Sequence, residues 1–226
     1  MTARPNLAVV GTDTGVGKTV VTAAVVARLR DRGLDARAVK PAQTGYPPDD
    51  DAGFVAEACG SDEAATCLRR LEPPLAPAVA AEQSGESLDY AELRDGCRRA
   101  MARSEVAVVE GIGGLRVPLA DGREVADLVA DLDVPALVVA RSGLGTLNHT
   151  ALTVTALRRR GVAVSGVVLN EFEGATTAER TNPAVVAEMT DANVGTVPPV
   201  AFDRPTTAVS AVESELPGSV LPDELA

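Results

Sequence analysis

Short apolar runs alternate with longer segments of helical period along this chain. The runs at 7–11 (LAVVG), 36–40 (ARAVK), 105–110 (EVAVVE), 134–140 (VPALVVA), 162–170 (VAVSGVVLN) and 195–200 (GTVPPV) read as strands buried on both faces. Helical spacing fills the intervals at 18–32, 51–59, 89–103, 124–132, 147–160 and 182–191. The alternation predicts an α/β fold: a mostly parallel β-sheet with helices on both faces, which binds ligands beyond the carboxyl ends of its strands. The first helix is expected to stop at Gly33, after Arg28, Arg30 and Arg32 bring positive charge to its C-terminus. Residues 72–88, with Pro73, Pro74 and Pro77 ahead of Gln, Ser and Gly, are expected to form a long connection. An acidic, Pro-containing tail is expected from about residue 203. No repeat or interdomain linker breaks the pattern, so residues 1–226 are expected to form a single domain.

Composition narrows the function classes. The net charge of -11, from 32 acidic against 21 basic residues, argues against a nucleic-acid partner, because phosphates are neutralised by clustered Lys and Arg. An aromatic content of 2% also disfavours base-stacking platforms. No apolar run reaches the roughly 18 residues of a membrane span, and no signal-peptide pattern precedes Leu7, so a soluble, cytoplasmic protein is expected. Cys59, Cys67 and Cys97 are odd in number and lack CxxC spacing, which makes them expected small hydrophobes rather than a disulfide or zinc framework. Among the 21 basic residues only Lys18 and Lys40 are lysines. An acidic, Arg-for-Lys, aromatic-poor chain also fits adaptation to high salt.

Lys18 lies in Gly11-Thr12-Asp13-Thr14-Gly15-Val16-Gly17-Lys18-Thr19, between the first strand and the first helix. Strand, Gly-rich turn and helix are the context of a phosphate-binding loop. Its backbone N–H groups and helix N-terminus can surround phosphate oxygens, Lys18 can reach the β/γ phosphates, and the Thr19 hydroxyl can ligate Mg²⁺. Thr12 stands where the G-x-x-x-x-G-K-[ST] pattern has its first glycine, so position 12 must tolerate a side chain. Lys40 closes the second strand in Lys40-Pro41-Ala42-Gln43-Thr44-Gly45, where Pro41 halts the strand. Parallel strands open at one edge, which sets Lys40 and Thr44 beside the phosphates. The run from Val106 to Val109 ends in Glu110-Gly111-Ile112-Gly113-Gly114, an acid able to hold Mg²⁺ directly or through water, followed by glycines that let backbone approach a nucleotide. Asp49-Asp50-Asp51 precede the next helix and would serve equally as an N-cap region.

These motifs resemble the dethiobiotin synthetase family: GTDTGVGKT at 11–19, KPAQTG at 40–45, VEGIGG at 109–114, LGTLNHTALT at 144–153 and the strand end at Asn170, together spanning most of residues 7–202. The resemblance implies a P-loop NTPase-like fold and an ATP- and Mg²⁺-dependent ligase that carboxylates 7,8-diaminononanoate with CO₂ and closes the ureido ring through a carbamate and a carbamic-phosphoric anhydride. It further implies that Thr14, Lys18 and Lys40 are catalytic, and that Gly15, Val16, Gly17, Lys18, Thr19 and Val20 hold the nucleotide. Thr19, Asp51 and Glu110 would bind the metal, with Asp49 or Asp50 replacing Asp51 if the loop is shifted. Gly111, Ile112 and Gly113 would contact nucleotide. Asn170 and Glu171 would read adenine with support from Pro198, Pro199 and Val200. Thr44 would touch the diamine, and Gly145, Thr146, Leu147 and Asn148 would receive the substrate carboxylate from a neighbouring subunit, which implies a homodimer.

The sequence departs from the family pattern at two places. Gly15 stands where some members carry an acid, and Ala78, in the proline segment 74–81 that resembles the substrate-lining loop, stands where a histidine is often found. The lone His149 reads as a helix-capping or packing residue. A regulatory P-loop ATPase of the partitioning type has a similar loop but carries a further lysine near its start, where this chain has Asp13. The synthetase half of a cobalamin-pathway amidotransferase also has such a loop, but that enzyme needs a further glutaminase domain.

Overall fold

The computed structural model describes residues 6–200 and 204–226; the expected start of the tail at residue 203 lies outside the described residues. In chain order the elements are β1 (Leu7–Gly11), α1 (Lys18–Asp31), β2 (Ala36–Lys40), β3 (Gln43–Thr44), α2 (Asp51–Ala58), β4 (Ala65–Cys67), β5 (Arg70–Leu71), α3 (Pro77–Ser84), α4 (Tyr90–Met101) and β6 (Val106–Gly114). They continue with β7 (Pro118–Ala120), β8 (Arg123–Glu124), α5 (Val125–Leu132), β9 (Ala136–Arg141), α6 (Thr146–Arg159), β10 (Val164–Asn170), α7 (Thr177–Thr190), β11 (Val194–Thr196) and α8 (Pro205–Glu215). Seven strands form one parallel sheet in the order β11-β10-β9-β1-β6-β2-β4. The fold is a P-loop NTPase-like α/β sheet with helices on both faces.

Alternation along the strands splits the core into two layers. Leu7 and Val9 pack with Val20, Val21, Val25 and Leu29 of α1 and with Val209 and Val212 of α8. Ala8 and Val10 face the opposite layer, with Leu93 of α4, Leu128 of α5, Leu157 of α6 and Val186 of α7. Each strand is therefore apolar at nearly every position, which is why its sequence shows runs rather than period two. The strand order places β1 between β6 and β9, so the phosphate loop emerges at mid-sheet, with Glu110 on one side and Asn170 two strands away on the other.

Four expectations are corrected. The expected connection 72–88 contains α3, because Pro77 occupies the first helical turn, where its missing N–H costs nothing, and Gly85 at φ 69° ends the helix. Helix α7 starts at Thr177 rather than 182: Thr176 and Glu179 form a capping box, and Pro183, which suggests a helix start, is carried inside the helix. Cys59 and Cys67 are half-buried, and only Cys97 is fully inside, where burial pushes its thiol up to about 12. The segment from 205 is packed rather than loose. Beyond α8, Leu216, Val220, Leu221 and Leu225 are buried, and the Arg28 and Arg32 guanidiniums donate to the carbonyls of Leu216 at 2.8 Å and Leu225 at 2.9 Å. Strand β4 at the sheet edge has no sequence signal, since Ala65-Thr66-Cys67 is short and partly exposed. Among the described residues no helix is long and apolar enough to cross a membrane.

Gly166 on β10 is what lets the C-terminal segment close on the sheet. A Cβ there would stand 2.6 Å from Val220 backbone and side-chain atoms. Gly166→Ala is expected to cost about 1–3 kcal/mol of stability by overpacking, measured as a lower thermal midpoint. An unchanged midpoint would mean that Val220 does not press on β10.

Candidate active site

The loop after β1 is shaped by glycines at positive φ, Gly15 at 68° and Gly17 at 97°, the latter capping α1. A side chain at Gly17 would collide with the Asn170 amide, and one at Gly11 would sit 2.9 Å from Lys18 Nζ. Thr12 is not among the residues at positive φ, and its N–H donates to Val139 O at 3.0 Å, so this position accommodates its side chain. Lys18 Nζ curls over the loop and donates to Asp13 O at 2.9 Å. Burial first, then the neighbouring Lys40 charge, brings Lys18 down to about 8. A phosphate group at the loop would favour its charged form.

Lys40 ends β2 between Glu110 on β6 and Asp51 at the first turn of α2. Its Nζ donates to Glu110 Oε1 at 2.8 Å and to Gly111 O at 3.3 Å, and it is paired with Asp51 Oδ2. Thr19 Oγ1 donates to the same Glu110 Oε1 at 2.9 Å. Burial by itself would lower Lys40, but the Glu110 and Asp51 carboxylates outweigh it and hold the ammonium above its ordinary value. Glu110 is raised by its own burial, with Asp51 adding repulsion against the pull of Lys40. Asp51 is less buried, and Lys40 keeps it below the usual carboxylate range despite desolvation.

Of the three neighbouring aspartates, Asp50 and Asp51 have separate positions. Asp50 caps α2 by accepting from Gly53 N–H at 3.0 Å and pairs with Arg70 at 3.5 Å, whereas Asp51 is the one that reaches Lys40. One hydroxyl and two carboxylates thus meet in an all-oxygen set beside the phosphate loop. Such a set suits a hard cation such as Mg²⁺, which takes one or two carboxylates and completes its shell with water and phosphate oxygens. The residues present fit that ion.

A cleft of about 1060 Å³ opens over this cluster. Thr14, Gly15, Gly17, Lys18, Thr19, Val20, Lys40, Thr44, Asp51, Glu110, Ile112, Gly113, Asn170 and Glu171 all line it. Val16 is buried behind the loop, and Gly111 contributes its carbonyl to Lys40 from within the sheet. Asn170 Nδ2 donates to Val16 O at 3.1 Å, bracing the loop from the end of β10, two strands away. Pro198, Pro199 and Val200 follow β11 without lining the cleft, and the two prolines are exposed. Gly145, Thr146, Leu147 and Asn148 lie at the start of α6, also away from the cleft, with Leu144 beside them 93% exposed.

Residues outside the predicted set also take part, Gln43, Phe54 and Pro205 among them. Gln43 Oε1 accepts from Asp51 N–H at 3.2 Å and its Nε2 donates to Thr44 O at 2.9 Å, tying the second motif to the start of α2. Its place inside KPAQTG was the available signal. Phe54 and Pro205 line the cleft from α2 and α8. Neither has a motif, because both arrive through packing of distant segments.

Comparison with known proteins agrees with this geometry. A family model described as an AAA domain matches residues 5–202. The ATP-dependent dethiobiotin synthetase BioD of Haloferax mediterranei is 65% identical over 212 residues, covering 94% of this chain and 91% of that protein. Its namesake from Anaeromyxobacter sp. is 48% identical over 189 residues, covering 81% and 85%. Among solved structures, the cell division ATPase MinD of Pyrococcus furiosus superposes with a TM-score of 0.56 at 15% identity, covering 94% of this chain and 98% of that one. Chloroplast FtsY from Physcomitrella patens gives 0.55 at 18%, covering 94% and 66%. Those two likenesses concern the fold alone, while the identity to the synthetases extends over nearly the whole chain. This chain belongs to the ATP-dependent dethiobiotin synthetase family.

Proposed function

We propose that this protein makes dethiobiotin from 7,8-diaminononanoate, CO₂ and ATP, releasing ADP and phosphate. One amine adds to CO₂ and loses a proton, giving a carbamate. A carbamate oxygen attacks the γ-phosphorus and ADP departs, forming the carbamic-phosphoric anhydride. The second amine then attacks the carbonyl carbon and expels phosphate, which closes the ring. The observation that carries this reading is the buried Lys40 ammonium beside the phosphate loop, 2.8 Å from Glu110.

Each step develops or moves negative charge, so fixed positive charge is what the protein must supply. Lys40 stabilises the carbamate and the oxygen it presents, Lys18 the transferring phosphoryl group, and Thr14 and the N–H groups of the loop orient the phosphates. Thr19, Asp51 and Glu110 would hold Mg²⁺, which supplies charge neutralisation on the phosphate oxygens when bound. Thr44 positions the diamine. Asn170 and Glu171 border the adenine, with 198–200 as a more distant wall. No side-chain nucleophile is required. The packing of α8 against α1 supports one synthetase domain that includes the C-terminal segment. With ATP, Mg²⁺ and bicarbonate, phosphate release should depend on the diamine; release indifferent to it would overturn the ligase assignment.

The start of α6 stands apart from the cleft of its own chain, with Leu144 and Leu152 exposed. This supports a homodimer in which the N–H groups of α6 take the substrate carboxylate bound in the neighbouring subunit. Leu144→Asp is expected to yield monomers by light scattering and to lower turnover at least about tenfold through lost positioning. A monomeric variant with full activity would contradict the shared site.

A further inference from the structure

Asn182 lies on α7, outside every site motif, yet it is only 4% exposed. Its Nδ2 donates to Ser142 O at 2.7 Å and to Gly143 O at 3.2 Å. Both partners are acceptors, so only the amide nitrogen can face them. Gly143 O also accepts from Thr146 N–H at 3.3 Å, and this bond closes the turn that leads into α6. Gly145, at φ 91°, then caps that helix. Ser142 is equally buried, and its hydroxyl lies 2.9 Å from Glu171 O and 3.1 Å from Glu179 Oε1. The turn at 142–145 is therefore held from α7 on one side and fastened on the other to the strand end that carries Asn170 and Glu171.

We propose that Asn182 is a positioning residue for recognition of the substrate carboxylate. It fixes the direction of the α6 N-terminus, so that the N–H groups of Gly145 and Leu147, left over once Thr146 N–H has bonded Gly143 O, converge on that carboxylate. Through Ser142 the same cluster locks this turn to the border of the nucleotide site. In the homodimer each Asn182 would thus serve the diamine site that its own α6 completes in the neighbouring subunit. The proposal rests on the reading above that α6 receives the carboxylate, and the test separates the two.

Asn182→Asp preserves size but replaces the donor with acceptors that face two carbonyls. Steady-state kinetics would compare it with the wild type on 7,8-diaminononanoate and on the corresponding carboxamide, whose head group is neutral. The variant is expected to raise the KM for the acid at least about tenfold, with kcat and the KM for ATP changed less than about twofold. On the carboxamide, variant and wild type should have the same KM, because the grip on charge is already gone. Asn182→Ser, which keeps one donor, should restore part of the affinity for the acid and serves if the Asp variant fails to fold. An unchanged KM for the acid, or an equal loss on both substrates, overturns the role of Asn182. A wild type that takes carboxamide and acid equally well overturns the α6 reading itself.

Discussion

Replacing Lys40 with glutamine will abolish dethiobiotin formation, with turnover falling by about a thousandfold or more, while ATP still binds at the loop. The ammonium touches Glu110, Asp51 and the Gly111 carbonyl at once. Its neutral replacement would leave the carbamate facing two carboxylates with no ammonium between them. The effect should lie in kcat, because the charge acts where negative charge develops rather than where the nucleotide is anchored. Nucleotide affinity by calorimetry should stay within about threefold, since Lys18 and the loop N–H groups remain. Near-normal turnover would remove Lys40 from the mechanism.

The second large effect is expected at Glu110. Glu110→Gln keeps the shape and an acceptor for Thr19 Oγ1–H but removes the charge that pairs with Lys40 and that a divalent cation would use. Glu110 is 2% exposed, whereas the Asp51 side chain is 27% exposed and can be replaced partly by water. Turnover at saturating Mg²⁺ is therefore expected to fall about a hundredfold or more for Glu110→Gln, and less for Asp51→Asn. Titration of each variant with Mg²⁺ or Mn²⁺ should show a raised half-saturation concentration for both. A Glu110→Gln enzyme with the wild-type metal requirement would place the cation elsewhere.

The central parts of fold and site were legible because their physics is local. Gly17 must be glycine where the Asn170 amide crosses the loop, and the buried strands on either side have to be apolar throughout, so loop and sheet leave clear marks. Lys40 stood out because a chain with two lysines placed both at strand or loop ends. What was not legible depends on meetings between distant segments. Gln43 and Asn182 are ordinary amides until α2 and the turn at 142–145 come within hydrogen-bond reach. Pro77 and Pro183 have opposite consequences: one begins a helix and the other is tolerated inside one because the capping box of Thr176 and Glu179 already fixes its start. The C-terminal segment reads as an acidic tail because Pro217, Pro222 and its acidic residues interrupt the three-to-four spacing of its buried Val209, Val212, Leu216, Val220, Leu221 and Leu225.

In the proposed reaction a carbamate oxygen is phosphorylated before the ring closes. The most direct measurement is oxygen transfer. The enzyme is supplied with ¹⁸O-labelled CO₂, unlabelled ATP and 7,8-diaminononanoate, and the released phosphate is analysed by mass spectrometry during rapid turnover. One ¹⁸O atom should appear in the phosphate and one in the ring carbonyl of each dethiobiotin formed. Phosphate without label, at full label in the product carbonyl, would contradict the carbamic-phosphoric anhydride.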